Sequence, residues 1–217
     1  MKWIFHKPLL VRCGYEAYQN SLIAGKKDVP PPIPIPLVMP IIKYVSWLAY
    51  KSSDHIWLNT EEISEFVKSQ FNVSNRKITV QPNWIDINLF KNKFKVRRLT
   101  NRVLFVGRIS EEKNLPLLLN ALSGTKIGLD IVGTGKLQNN ISQLASRLEV
   151  DIRFLGRIDN DLMPDIYNNY RIYVLCSLFE GNPKSLLEAM ACGCAVIGTN
   201  VKGINNVIQH NKTGVLV

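Results

Sequence analysis

From Arg102 onward the chain alternates short apolar runs with longer segments in which apolar residues recur every three or four positions. Arg102-Val-Leu-Phe-Val106 is β-branched and aromatic and stops at Gly107, which predicts a buried strand. Residues 115–122 have the length and spacing of a helix, and Gly128-Leu-Asp-Ile-Val132 reads as a second strand closed by Gly133-Thr-Gly135. Apolar residues at 137, 141, 144, 145 and 148 form a helical stripe. The strand-then-glycine pattern returns at 151–155 with Gly156, followed by a helix over 162–170 and a strand over 172–176. A helix over 185–191 and a strand over 195–198 complete the series. Strands joined by helices predict an α/β fold: a parallel sheet with helices on both faces. Ligands of such sheets sit beyond the carboxyl ends of the strands. The chemistry is therefore expected at residues 107–113, 133–136, 156–158 and 177–185.

The first half is less regular. Strands are predicted at 54–58 and 77–80, with a helix from Thr60 to about residue 71 between them. Thr60 suits a helix cap, and Ile63, Phe66 and Val67 share one face. The longest apolar stretch, 29–50, carries six prolines in its first twelve residues. That argues for a Pro-rich loop followed by a short amphipathic or buried helix over about 40–51, and against a membrane span. No apolar core of signal-peptide length follows Met1. The pattern breaks at Gln81-Pro-Asn-Trp-Ile-Asp86, and a lysine-rich stretch follows. The expected organisation is a first lobe over 1–90, a linker over 91–100 and a second lobe over 101–217.

Charge adds an asymmetry. Of the net +10, residues 1–100 hold 15 Lys/Arg against 7 Asp/Glu, whereas residues 101–217 hold 12 against 10. A basic first half suits an anionic membrane surface or a phosphorylated substrate. No basic stretch is interleaved with stacking aromatics, so nucleic acid is not an expected partner. Cys13, Cys176, Cys192 and Cys194 lack metal-ligand spacing and read as reduced core thiols of a cytoplasmic protein.

Two segments carry candidate chemistry. Arg108 and Lys113 follow the first strand of the second lobe, where a planar guanidinium and a mobile ammonium can converge on one polyanion. The bland reading of such a pair is a solvated loop. The second segment is Glu180-Gly-Asn-Pro-Lys-Ser-Leu-Leu-Glu188. Pro183 suits the first turn of a helix, and Gly181 lets the backbone approach a ligand. Free amides at the helix start make a seat for phosphate or sugar oxygens. Glu180 precedes the helix and Glu188 lies on it, a separation that suits two parts of one elongated ligand.

The phrase Phe179-Glu-Gly-Asn-Pro-Lys-Ser-Leu-Leu-Glu-Ala-Met-Ala-Cys-Gly193 resembles the signature of glycosyltransferase family 4, the group 1 glycosyltransferases. Val106-Gly-Arg-Ile-Ser-Glu-Glu-Lys-Asn114, Ile131-Val-Gly-Thr-Gly135 and Gly203-Ile-Asn-Asn-Val-Ile208 match other motifs of that family in the family's order. Lys77-Ile-Thr-Val-Gln-Pro-Asn83 and Val11-Arg-Cys-Gly-Tyr15 resemble first-lobe segments, the latter in bacterial polysaccharide-assembling members. The resemblance implies the GT-B fold, two Rossmann-like lobes, and a retaining transfer of a sugar from a nucleotide donor to a glycan or lipid-linked acceptor. It also implies that both lobes are incomplete here, the chain being truncated at each end. In that family's terms Arg108 and Lys113 bind the donor diphosphate, and Glu180 meets the donor sugar beside the reacting carbon. Those three residues are the expected catalytic groups. Glu188 binds the ribose, and backbone at Gly181, Asn182, Pro183, Lys184 and Ser185 binds sugar or distal phosphate. Arg157 and Ile158 line the base, and Gly107, Gly133 and Gly135 let the chain pass close to the nucleotide. No metal and no other cofactor are implied. A cytoplasmic protein peripheral to the inner face of the membrane is the implied setting. The acceptor-side histidine is not assignable to His6, His55 or His210.

Other classes remain. A non-catalytic nucleotide-sugar-binding subunit that needs a partner for the missing half-lobe fits the same residues. A Rossmann dehydrogenase is disfavoured, because Gly133-Thr-Gly135 is only a fragment of the dinucleotide fingerprint. A nucleotide-sugar epimerase on the same two-lobed fold is a minor alternative.

Overall fold

The computed structural model describes residues 8–13, 35–94 and 96–217, in two compact units, 1–83 and 84–217. His6, Gly14, Tyr15 and the start of the Pro-rich stretch lie outside the described residues.

The first unit contains strand β1 (Leu10–Cys13), helix α1 (Ile35–Ser52), strand β2 (His55–Leu58), helix α2 (Glu61–Phe71) and strand β3 (Ile78–Val80). The three strands are parallel in the order β1-β2-β3, with Val11 opposite Ile56 and Ile56 opposite Ile78. Thr60 caps α2: its Oγ1 accepts from the amide of Ile63 at 3.2 Å, as the sequence predicts. Ile63, Val67 and Phe71 then pack on Ile56, Leu58 and Tyr50. Helix α1 starts at Ile35, earlier than expected, with Pro40 inside it. An amide is absent there, but no glycine or polar cluster ends the run. Ile41, Tyr44, Val45 and Leu48 of α1 are exposed. No helix among the described residues is long and apolar enough to cross a membrane.

The second unit is a sheet of six parallel strands. Its elements are β4 (Leu99–Val106), α3 (Leu115–Leu122), β5 (Gly128–Val132), α4 (Gln138–Arg147), β6 (Ile152–Gly156), α5 (Met163–Asn169), β7 (Tyr170–Leu175), α6 (Lys184–Ala191), β8 (Ala195–Gly198) and β9 (Val215–Leu216). The spatial order is β6-β5-β4-β7-β8-β9. The chain therefore winds outward from β4 in one direction and resumes on its other side at β7. Right-handed crossovers place α3 and α4 on one face and α6 on the other. The reversal opens a crevice beyond the carboxyl ends of β4 and β7. Those are the strands that lead into the Arg108–Lys113 and Glu180–Glu188 segments.

The core explains the apolar runs. Leu104, Phe105, Leu129, Ile131, Leu119 and Leu186 are fully buried, and all five residues of β5 are inaccessible. Asp130 is the exception within β5. Its carboxylate receives Arg102 Nε at 2.7 Å and the Tyr170 hydroxyl at 2.5 Å, and Arg102 also pairs with Asp151. A buried charge persists because every group facing it is a donor. Gly128 leaves room for this arrangement, since a Cβ there would stand 2.6 Å from the Arg102 guanidinium carbon.

Within 91–100, expected as a linker, Lys93 and Arg98 are bonded to the body of the second unit. Phe90 is buried in that unit's core, and Arg98 donates to Asn92 Oδ1 (2.9 Å), Asn168 Oδ1 (3.2 Å), the Tyr170 carbonyl (2.9 Å) and the Cys192 carbonyl (2.6 Å). One arginine with four oxygen acceptors fixes a segment whose lysines suggest a solvated tether. The division between units falls instead at Asn83 and Trp84.

Candidate functional site

The loops that follow β4, β5, β6 and β7 are bonded to one another. The Gly107 amide donates to the Val132 carbonyl (2.9 Å), Ile109 to Thr134 (3.1 Å), Gly133 to Gly156 (2.7 Å) and Leu178 to Glu112 (2.8 Å). Gly133, at φ +125, lies against the Gly107 carbonyl, and Gly135 lies against the Ile109 carbonyl; neither position has room for a Cβ. The first of these contacts seals the floor of the crevice with backbone.

On that floor Lys113 and Glu180 meet. Lys113 ends a short 3₁₀ turn, Glu111–Lys113, and Asn114 follows in the left-handed region at φ 49. The Cys176 thiol donates to the Lys113 carbonyl at 3.1 Å. The ammonium of Lys113 lies 2.5 Å from Glu180 Oε1, and the Ser177 hydroxyl donates to the same oxygen at 2.6 Å. Thr199 at the end of β8 holds the Ser177 carbonyl through its hydroxyl, at 2.6 Å. Gly203, at φ +84, lies directly under the carbonyls of Glu180 and Gly181. Oε1 of Glu180 is thus doubly held, while no protein group among the described residues bonds Oε2.

Pro183 is the cap of α6 rather than a member of its first turn, with φ −73 and ψ 104. Its carbonyl receives the amides of Leu186 and Leu187, so the amides of Lys184 and Ser185 are left directed outward from the helix start. Further along α6, Glu188 is almost wholly buried. Its Oε2 accepts from the Tyr167 hydroxyl at 2.9 Å, and its Oε1 lies 3.7 Å from Lys184 Nζ. Burial pushes the Glu188 carboxyl above its ordinary value, opposed by the Tyr167 hydrogen bond and the Lys184 charge.

The sequence profile of the family described as glycosyl transferases group 1 matches residues 86–217, more than half of the chain. The chain belongs to the group 1 glycosyltransferases. A glycosyltransferase of Methanocaldococcus jannaschii, itself uncharacterized, is 28% identical over 194 residues, which cover 81% of this chain and 50% of that protein. The N-acetylgalactosamine-N,N'-diacetylbacillosaminyl-diphospho-undecaprenol 4-alpha-N-acetylgalactosaminyltransferase of Campylobacter jejuni is 30% identical over 188 residues, covering 81% of this chain and 49% of that one. The chain therefore spans about half the length of these relatives. Among solved structures, Anabaena HepE in complex with UDP and glucose superposes with a TM-score of 0.75 at 20% identity, over all of this chain and 59% of that one. Sucrose-phosphate synthase of Thermosynechococcus elongatus gives 0.76 at 19%, over 96% and 54%. These likenesses establish the GT-B type of fold.

The group 1 signature of this chain is therefore a constructed site in part. The structure joins Lys113, Glu180 and the start of α6 around the β4–β7 crevice. Arg108 is exposed and lines a cavity of about 540 Å³ with Ile109, Glu112, Gly135 and Lys136. Among the described residues the polar partners of Glu180 are Lys113 and Ser177, and Arg108 is not one of them. Arg157 is exposed, whereas Ile158 packs partly against the core. Asp159 and Asp161, an Asp-x-Asp triplet in the turn before α5, are both exposed, and no group of three metal-ligating side chains occurs among the described residues. Sequence reasoning missed Thr199 and Tyr167, and it gave Ser177, inside the expected 177–185 segment, no role of its own. Ser177 lies three residues before Glu180 and was open to detection; Tyr167 lies 21 residues before Glu188, with no local pattern linking them.

Proposed function

We propose that this chain forms the nucleotide-sugar side of a retaining glycosyltransferase that elongates a glycan on a lipid-linked acceptor. The observation that carries this reading is the convergence of Lys113, Glu180 and the outward amides of α6 on one strand-end crevice. Arg108 and Lys113 meet the diphosphate and offset the charge that develops when the bond between the anomeric carbon and phosphate oxygen breaks. Fixed cations at such a position usually make the largest catalytic contribution. No metal has a part in this proposal. Glu180 accepts from donor-sugar hydroxyls through Oε2, and Glu188 accepts from the ribose. The lipid-linked acceptor is favoured by the diphospho-undecaprenol substrate in the Campylobacter relative's name. It agrees with the basic first hundred residues and with a cytoplasmic enzyme resting on the inner face of the membrane.

The test is a binding screen of the whole chain against uridine, guanosine, adenosine and thymidine diphosphates, followed by variants. A ligand present at about 100 times its dissociation constant stabilises by about 2.7 kcal/mol, enough to shift a melting curve. Lys113→Ala and Glu188→Gln should each weaken the diphosphate that binds. Unchanged affinity in both variants overturns the assignment.

A further inference from the structure

The donor helix α6 is held from below by two buried tyrosines. Tyr167 on α5 is inaccessible to solvent, and its ring is fixed by edge contacts with Phe90 (6.2 Å between centroids) and Tyr173 (6.0 Å). Its hydroxyl donates to Glu188 Oε2 at 2.9 Å. Tyr173 on β7, equally buried, donates to Ser185 Oγ at 2.8 Å. The two phenols therefore meet α6 at positions three residues apart, on one helical face. Phenylalanine at either site would fill the same volume, so the hydroxyls exist for their partners. Without Tyr167 the Glu188 carboxylate could turn about its side-chain bonds, with Lys184 3.7 Å away as its remaining polar neighbour.

We infer that Tyr167 is a positioning residue. By occupying Oε2 of Glu188 it fixes the carboxylate so that Oε1 is presented to the nucleotide's ribose hydroxyls, and it thereby sets the discrimination between ribose and 2′-deoxyribose. The inference rests on the assignment of Glu188 to the ribose made above. Hydrogen-bonding sites discriminate strongly because an absent hydroxyl leaves a buried group unpaired. The titratable groups facing Glu188 are Tyr167 from α5, Tyr173 from β7, Lys184 on α6 and Cys192 just after it. Only Lys184 among them is cationic, so the Tyr167 hydrogen bond is the other influence that keeps Glu188 ionised.

The experiment measures binding of uridine, guanosine and adenosine diphosphates and of their 2′-deoxy counterparts to the whole chain. Wild type is compared with Tyr167→Phe, Tyr173→Phe and Glu188→Gln, over a range of pH. Wild type should prefer the ribo form of whichever nucleotide it binds. Tyr167→Phe should reduce that preference about tenfold while leaving the deoxy form's affinity nearly unchanged. Its binding should also begin to weaken at a higher pH on acidification than in wild type, because Glu188 is then protonated more easily. Tyr173→Phe removes an equally buried hydroxyl without touching Glu188, and should leave the ratio as it is. A preserved ratio in Tyr167→Phe, alongside a lost ratio in Glu188→Gln, overturns the role of Tyr167 and keeps that of Glu188. The same loss in Tyr173→Phe as in Tyr167→Phe would also overturn it, by showing a general packing effect. No nucleotide binding, or an unchanged ratio in Glu188→Gln, overturns the ribose assignment itself.

Discussion

Replacing Gly203 by alanine separates backbone strain from a steric effect on the site. Gly203 has φ +84, and Gly124, in an open turn after α3, has φ +74. An L-residue held in the left-handed region costs about 1–2 kcal/mol, so Gly124→Ala and Gly203→Ala share that loss. At 124 the added Cβ meets nothing within 4 Å. At 203 it would stand 2.5 Å from the Gly181 carbonyl oxygen, and closer still to that of Glu180. Since Cβ atoms essentially never come within 3.0 Å of another heavy atom, the Gly181 carbonyl must retreat by at least about 0.5 Å; reaching ordinary contact at 3.4 Å requires about 0.9 Å. Glu180 shifts with it, which disturbs the contacts of its carboxylate with Ser177 and Lys113. A misplacement of about 1 Å can reduce a rate by about 100-fold, so a loss of roughly 10- to 100-fold in nucleotide-sugar affinity or turnover is expected. Thermal unfolding of both variants gives the shared strain, and calorimetric titration with a nucleoside diphosphate and its sugar conjugate gives the site effect. Both variants should melt a few degrees low, Gly203→Ala more so, and only Gly203→Ala should lose the sugar conjugate. Wild-type affinity for the conjugate in a folded Gly203→Ala would refute the dependence of Glu180 on this glycine.

Three further outcomes follow from buried charge. Arg102→Met should destabilise the second unit by about 3–5 kcal/mol, because Asp130 keeps only the Tyr170 hydroxyl. Adding Asp130→Leu should recover much of that loss in urea unfolding, and a double variant as unstable as the single would contradict this. Glu188→Gln should raise the melting temperature at neutral pH while weakening nucleotide binding. The carboxyl's folded-state value is raised above the ordinary 4.5, so stability falls as pH rises from 4.5 through the raised value. The advantage of the variant should accordingly vanish below about pH 4.5; an advantage that grows on acidification would reverse the sign of the argument. Burial pushes the thiols of Cys176, Cys192 and Cys194 up to about 11, so iodoacetamide should modify none of the three in the native chain at pH 8 and all of them in denaturant.

The sheet of the second unit was legible because β5 and the core of β4 are nearly continuous apolar runs, and each helix carries a regular stripe. Thr60 and the Gly133-Thr-Gly135 turn were legible because caps and tight approaches demand particular residue types. What the sequence could not show is contact at long range. Lys113 and Glu180 are 67 residues apart, and Arg98 reaches across 94 residues to the Cys192 carbonyl. The lysine-rich composition around Arg98 suggested a tether, and only the fold reveals its four oxygen acceptors. Strand β9, two residues long, is too short for periodicity to register.

On the function proposed above, the Lys113–Glu180 pair also bears on turnover. Without ligand the site carries its own counter-ion, and a diphosphate that draws Lys113 away leaves a largely buried carboxylate held by Ser177 alone. A donor with its sugar attached can repair that deficit through a hydroxyl; the spent nucleoside diphosphate cannot. On that reading, reclosure of the pair would favour departure of the product over departure of the intact donor, a bias toward release that lies in one interchangeable hydrogen bond.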